Sequence, residues 1–86
     1  MRASEGRVRP AVMRFARLME SRLAANDHKG REGWKGCSRA YLLRRFFEEV
    51  GEYMGALDSS ESHSENELAD AANFLMMLHE HKRSTP

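Results

Sequence analysis

Apolar positions recur along most of this chain at steps of three and four residues, the spacing of one face of an α-helix. The first such stretch predicts a helix from about Arg9 to Ala25, and Pro10 suits its first turn because the missing N–H costs nothing there. Its apolar stripe consists of Val8, Val12, Phe15, Met19 and Leu23. Residues 26–37 are predicted to form a loop, because three glycines in this segment break any helix.

A second amphipathic stretch predicts a helix from about Arg39 to Leu57, with Ser38 as its N-cap. Its apolar residues fall on one arc of about 140° of the helix surface. They are Leu42, Leu43, Phe46, Val50, Tyr53, Met54 and Leu57. The polar segment 58–63 then makes a short connection, so the second and third helices should be antiparallel neighbours.

The third helix is predicted to run from Ser64 to about His81, because Ser64 and Glu67 have the spacing of a capping box. Its apolar residues lie almost all the way round, which is typical of a central helix buried on more than one side. They are Leu68, Ala71, Ala72, Phe74, Leu75, Met76, Met77 and Leu78. Since no stretch alternates like a strand, the sequence predicts an all-α fold of three main helices.

The length of 86 residues indicates a single domain, residues 1–86, and we expect flexible ends at 1–8 and 82–86. A chain this short buries only about 60–65% of its unfolded surface, and one cysteine cannot form an intrachain disulfide. We therefore expect a homodimer or homotetramer. No apolar run approaches the ~18 residues of a membrane span, and the first residues lack a signal-peptide core, so we expect a cytoplasmic protein.

Charge is distributed unevenly along the chain. Residues 1–45 carry a net charge of +8 and residues 46–86 one of −7, which leaves +1 overall. The nearly neutral total argues against a nucleic-acid-binding protein. Two interpretations of the asymmetry stay open: either the two halves attract each other when packed, or an acidic metal site lies beside a basic rim that binds an anion.

Two acidic motifs carry the candidate chemistry. Glu49 and Glu52 are spaced i, i+3, so both lie on one face of the second helix. Glu67 and Asp70 have the same spacing in the third helix. Across an antiparallel hairpin the two pairs come level to within about a turn. The sequence therefore predicts four carboxylates converging on one seam between two helices.

Half-buried carboxylates this close together are costly unless they are protonated, paired or bound to a metal ion. Oxygen-only ligands favour a hard divalent cation, Mg²⁺ or Mn²⁺. Two alternatives stay open at this point. Either the acids lie on solvated helix faces with chance spacing, or Arg45, four residues before Glu49, simply pairs with it.

The motif EExxE at residues 48–52, followed after fourteen residues by ExxD at 67–70, resembles the signature of the MazG-like nucleoside triphosphate pyrophosphohydrolases. These all-α enzymes are related to the dimeric dUTPases and dCTP pyrophosphatases, and the resemblance covers about residues 12–81. It implies a Mg²⁺-dependent enzyme that cleaves a nucleoside triphosphate between the α- and β-phosphates, releasing a monophosphate and pyrophosphate. It also implies a dimer or tetramer built around a four-helix bundle.

By this resemblance, Glu48 would be an outer-shell acid or would help to orient or deprotonate the attacking water. Glu49 is a second catalytic candidate, and four carboxylates would coordinate Mg²⁺. These four are Glu49, Glu52, Glu67 and Asp70. Candidate substrate-binding residues are Arg45, Lys29, Trp34, Lys35 and Asn73. Trp34 either stacks on a base or anchors its loop, and Asn73 either binds a ligand or is a satisfied polar residue of the bundle. The alternative function is a non-catalytic nucleotide-binding, metal-binding or oligomerisation module of the same fold.

Overall fold

The computed structural model describes residues 7–27, 33–57 and 61–84. Its elements are α1 (Pro10–Ala25), a 3₁₀ turn (Gly33–Gly36), α2 (Arg39–Ala56) and α3 (Glu61–Ser84). These ranges contain no strand, and the three helices pack together, so the predicted all-α fold of three main helices is confirmed. None of the helices in these ranges combines the length and apolar character that a membrane crossing requires.

The first two helices begin where their local sequence signals predict. Pro10 occupies the first helical position of α1, directly after Arg9. At the start of α2, the Ser38 side chain accepts a hydrogen bond from the backbone N–H of Tyr41 at 3.0 Å. This bond satisfies one of the backbone donors that the first turn of any helix leaves without a partner. The N-cap at Ser38 is therefore confirmed.

The third helix is longer than the sequence suggested at both ends. It begins at Glu61, so the predicted start at a Ser64 capping box is wrong, and it continues past His81 to Ser84. The segment 61–64 contains neither glycine nor proline, so nothing in its sequence breaks a helix. The connection from α2 is correspondingly shorter than predicted.

The hairpin of α2 and α3 forms the principal packing interface of the molecule. Leu42 is fully buried, and Ala56 is buried about four turns further along the same face of α2. From α3, Ala69 and Met77 are also buried. The small alanines let the two helices approach closely, which brings the acidic motifs of both helices to one seam.

The first helix packs on α3 through its C-terminal half only. Met19 and Leu23 are half-buried, whereas Val12 is 53% exposed and Phe15 37% exposed. The Asn73 side chain donates a hydrogen bond to the backbone carbonyl of Met19 at 3.0 Å and so ties α3 to α1. The predicted central position of α3 is confirmed in that it contacts both other helices.

Much of the apolar surface predicted to be buried remains exposed in the single chain. On α2, Leu42 is covered by α3, but Leu43 is 45% exposed and Met54 is 64% exposed. On α3, Leu68 and Leu75 are exposed as well. The apolar arc of α2 is therefore only partly covered by its own chain.

Candidate metal centre

The α2–α3 hairpin brings three acidic side chains together. Glu49 and Glu52 come from α2 and Glu67 from α3, and one carboxylate oxygen from each lies within 4.8 Å of the other two. Glu49 is buried, Glu67 is half-buried and Glu52 is exposed, so the cluster runs from the helix seam to the surface. The predicted convergence of acids across the hairpin is confirmed for these three.

Glu49 is the most constrained member of the cluster. Its residue surface is only 6% exposed. Its Oε1 atom and the Oε1 atom of Glu67 are both fully buried and accept no hydrogen bond when the carboxylates are ionised. A buried oxygen that carries negative charge without a donor is costly, so the pair needs a proton or a cation.

The electrostatics of Glu49 reflect this shortage of positive charge. Burial raises its pKa from 4.5 to about 7, and the carboxyl of Glu67, within hydrogen-bonding reach, adds to the rise. The negative charges of Glu52 and Asp70 raise the pKa further. A proton held between Glu49 and Glu67 would satisfy both buried oxygens, and a divalent cation at the same place would do so without protonation.

The donor set fits a hard divalent cation. All three groups are carboxylates, and both Mg²⁺ and Mn²⁺ prefer oxygen ligands over nitrogen and sulfur. The exposed position of Glu52 leaves one side of the cluster open to solvent, where water or a phosphate oxygen can complete the coordination of Mg²⁺. Glu49, Glu52 and Glu67 are the residues that would hold the ion.

Asp70, the fourth predicted ligand, has a different partner. Its two carboxylate oxygens accept hydrogen bonds from Nε and Nη2 of Arg22, both at 2.9 Å. Asp70 is not one of the three clustered acids, and its carboxylate forms a bidentate ion pair with Arg22 of α1. Arg22 was missed in the sequence, although it lies one turn after Met19 on the apolar side of α1, where a charged residue calls for a partner.

Arg45 pairs with acidic residues of its own helix, as the alternative interpretation of the sequence proposed. It donates hydrogen bonds to Glu48 and, at 3.1 Å, to Glu49. Its guanidinium also lies over the Phe74 ring, 5.1 Å from the ring centroid. Glu48 itself is exposed and is not part of the three-acid cluster. Arg45 therefore balances one charge at the edge of the cluster.

An open cleft of about 1020 Å³ lies beside Glu49, the one member of the three-acid cluster that lines it. The volume is at the upper end of typical small-molecule sites, ~300–1,000 Å³. Of the predicted site residues, those lining the cleft are Trp34, Lys35, Arg45, Glu49, Asp70 and Asn73. Arg22 lines it too. Lys29, another predicted substrate-binding residue, lies outside the described residues.

Two residues of the cleft wall, Trp34 and Asn73, are predicted substrate-binding residues. Trp34 is half-buried, and the Lys35 ammonium lies 5.8 Å from the centroid of its ring. Asn73 is only 4% exposed, and its side-chain Oδ1 atom is buried without a hydrogen-bond partner. Asn73 thus has a structural role through its bond to Met19 and one acceptor atom left over.

No protein-family model, curated protein sequence or solved structure matches this chain. The family resemblance therefore rests on the acidic motifs and the order of the helices. The observed geometry by itself defines a carboxylate cluster, two arginines and an adjoining cleft within the part of the chain that the structure describes.

Proposed function

We propose that this protein is a Mg²⁺-dependent nucleotide pyrophosphohydrolase that converts a nucleoside or deoxynucleoside triphosphate to the monophosphate and pyrophosphate. The observation that carries the proposal is the buried Glu49 oxygen without a donor, which faces two further carboxylates beside a cleft. Mn²⁺ is the alternative ion. A cytoplasmic location, where nucleotides and reduced thiols occur together, belongs to the same proposal.

The proposed chemistry is attack of water on the α-phosphorus, with cleavage of the bond from this phosphorus to the α,β-bridging oxygen. Bound Mg²⁺ would supply charge neutralisation of the phosphates and acidify a coordinated water. Glu49, beside the ion, accepts the proton of the attacking water. Glu48, at the exposed edge, orients that water or receives the proton in turn.

The remaining cleft residues are assigned to the substrate. Arg45 and Lys35 offer positive charge to the phosphate chain, as does Lys29 on the sequence argument. Trp34 offers an aromatic face to the base. Asn73, which lines the cleft, is assigned to the ribose on the sequence argument.

The test is a hydrolysis assay of the full chain with Mg²⁺ and a panel of nucleoside and deoxynucleoside triphosphates, with pyrophosphate and orthophosphate measured separately. Glu49→Gln should abolish pyrophosphate release. Glu65→Gln, an exposed acid on α3 outside the cluster, is the matched control and should retain it. Absence of pyrophosphate from every nucleotide, with folded protein, would contradict the proposed enzyme.

A non-catalytic helical module is the second candidate, and the ion pairs favour it. Arg22 and Arg45 already balance Asp70 and Glu49, so part of the acidic charge is compensated without any metal ion. A module that serves only association should show no change of melting temperature on adding Mg²⁺. A metal-binding protein should melt higher, because an ion that binds only the native state stabilises it.

Self-association as a homodimer or homotetramer is part of the proposal. Three large apolar residues on one face of α2 are exposed, Leu43, Phe47 and Met54, and Leu57 at the C-cap of this helix is exposed as well. With the half-buried Val50 they recur at steps of four, three, four and three, the spacing of helix–helix seams. A second copy that packed on this stripe would remove it from water.

A further inference from the structure

The ion pair between Arg22 and Asp70 joins two helices at the edge of the candidate metal centre. Two parallel hydrogen bonds of 2.9 Å connect the guanidinium of α1 to the carboxylate of α3. The side chains are 34% and 20% exposed, so the pair is partly shielded from water but still within reach of a ligand. Charge-assisted, bidentate ion pairs of this kind are among the stronger polar contacts in proteins.

Both members of the pair interact electrostatically with the acidic cluster. The hydrogen bond to Asp70 raises the pKa of Arg22, and the charges of Asp70, Glu67 and Glu49 raise it further against the opposing effect of burial. In the other direction, the charge of Asp70 contributes to the raised pKa of Glu49. The Arg22–Asp70 pair and the cluster of Glu49, Glu52 and Glu67 therefore form one electrostatic unit.

We propose that Asp70 exchanges partners when the site is loaded: it holds Arg22 in the metal-free protein, and it turns to a divalent cation once one binds at Glu49, Glu52 and Glu67. The Arg22 guanidinium is then free to bind a phosphate group of the nucleotide in the cleft. This inference rests on the proposed function, because it assigns an order to the ligands of that site. The metal ion binds first and prepares the anion site.

The chemistry of the two partners supports this exchange. A doubly charged cation attracts a carboxylate more strongly than a singly charged guanidinium does at the same separation. A guanidinium released in this way presents a planar fork of donors that matches phosphate as well as it matches carboxylate. Arg22 and Asp70 both line the cleft, so neither side chain has to cross the molecule to change partner.

The exchange predicts that Asp70 suppresses anion binding in the absence of metal. Inorganic pyrophosphate is the probe, and its affinity for the full chain is measured by calorimetry in EDTA. Asp70→Asn removes the charge that holds Arg22, so pyrophosphate should bind about tenfold more tightly than it binds wild type, a typical coupling between two sites. Arg17→Gln, an exposed arginine of α1 outside the cleft lining, is the control and should leave the affinity unchanged.

A double variant separates the release of Arg22 from a general loss of negative charge. The gain should disappear when Arg22→Gln is combined with Asp70→Asn. A gain that persists in the double variant would overturn the proposal, and so would an unchanged affinity in the folded single variant.

A measurement on the wild-type protein covers the case in which these variants do not fold. In ¹⁵N-labelled protein, the Nε–H resonance of Arg22, assigned by its absence in Arg22→Lys, should move on adding Mg²⁺ alone and again on adding pyrophosphate. A resonance unchanged by saturating Mg²⁺ would overturn the exchange. None of these readouts depends on turnover, so the inference can fail while the enzyme is active, or hold while no nucleotide is hydrolysed.

Discussion

The raised pKa of Glu49 predicts that the metal-free protein loses stability as the solution changes from acidic to neutral. The folded state keeps the Glu49 proton up to about pH 7, whereas the unfolded chain releases it near pH 4.5. Between these values the folded state binds more protons, so the free energy of unfolding falls with rising pH. The contribution of the protonated Glu49 carboxyl to the free energy of unfolding is fully present below about pH 4.5 and is lost by about pH 7.

The magnitude follows from the change in pKa. A rise from 4.5 to about 7, at roughly 1.4 kcal/mol for each pKa unit, makes this contribution about 3 kcal/mol. For a small domain this is a large part of a total stability of roughly 5–15 kcal/mol. Burial of the carboxylate without a donor at Oε1 is the main cause, so a neutral side chain of the same shape should remove the effect.

The matched perturbation is Glu49→Gln, studied by urea unfolding in EDTA at pH 5 and pH 8 with circular dichroism as the signal. At pH 8 the variant should be more stable than wild type by about 1–3 kcal/mol, the lower figure allowing for the weakened bond from Arg45. At pH 5 the two proteins should differ little. Glu65→Gln, an exposed acid of α3, should follow wild type at both pH values.

Adding Mg²⁺ provides the second half of the test. At pH 8 the ion should stabilise wild type, because it replaces the missing proton between Glu49 and Glu67. It should have little effect on Glu49→Gln, and less effect on wild type at pH 5, where protons compete with the metal. If wild type and Glu49→Gln keep a constant difference in stability from pH 5 to pH 8, the inferred buried charge is refuted.

Three further predictions concern packing. Leu42→Ala, at a fully buried position in the first turn of α2, should lower the free energy of unfolding by about 2–5 kcal/mol in urea titrations. A loss below about 1 kcal/mol would show that this core is not tightly packed. Gly51→Ala should raise the free energy of unfolding by about 1 kcal/mol, because the added Cβ meets no atom within 4 Å and alanine is the better helix former. A lower free energy of unfolding would show that another chain covers this face in solution. Phe47 is 62% exposed on the apolar stripe of α2, so Phe47→Glu places a charge there and should reduce the mass measured by light scattering to that of one chain. An unchanged mass above that of one chain would show that the stripe is not the interface.

The helices and the acidic motifs could be predicted because local spacing determines them. Pro10 and Ser38 act on the first turns of their own helices, and the i, i+3 spacing of Glu49 and Glu52 places both on one face whatever surrounds them. A short connection then forces the neighbouring helix to run antiparallel. These facts together were enough to predict that Glu67 would meet the acids of α2.

The start of α3 could not be fixed from its capping signal. Ser64 and Glu67 match a capping box, yet the helix already exists at Glu61. A cap stabilises a helix end only where the preceding residues leave the helix, and the local pattern does not show whether they do. Whether α3 begins at Glu61 or at Ser64 depends on the path that the chain takes after α2.

Tertiary structure alone decided that Asp70 pairs with Arg22. Arg22 and Asp70 are 48 residues apart in the chain, and their pairing depends on how α1 crosses α3. A periodic pattern identifies the face of a helix but does not give the distance from that face to a charge on another helix. The sequence by itself therefore determined the helices and the acidic seam, whereas packing decided that Glu49 is buried without a full set of donors and that Asp70 is held by arginine, because both depend on distances between helices.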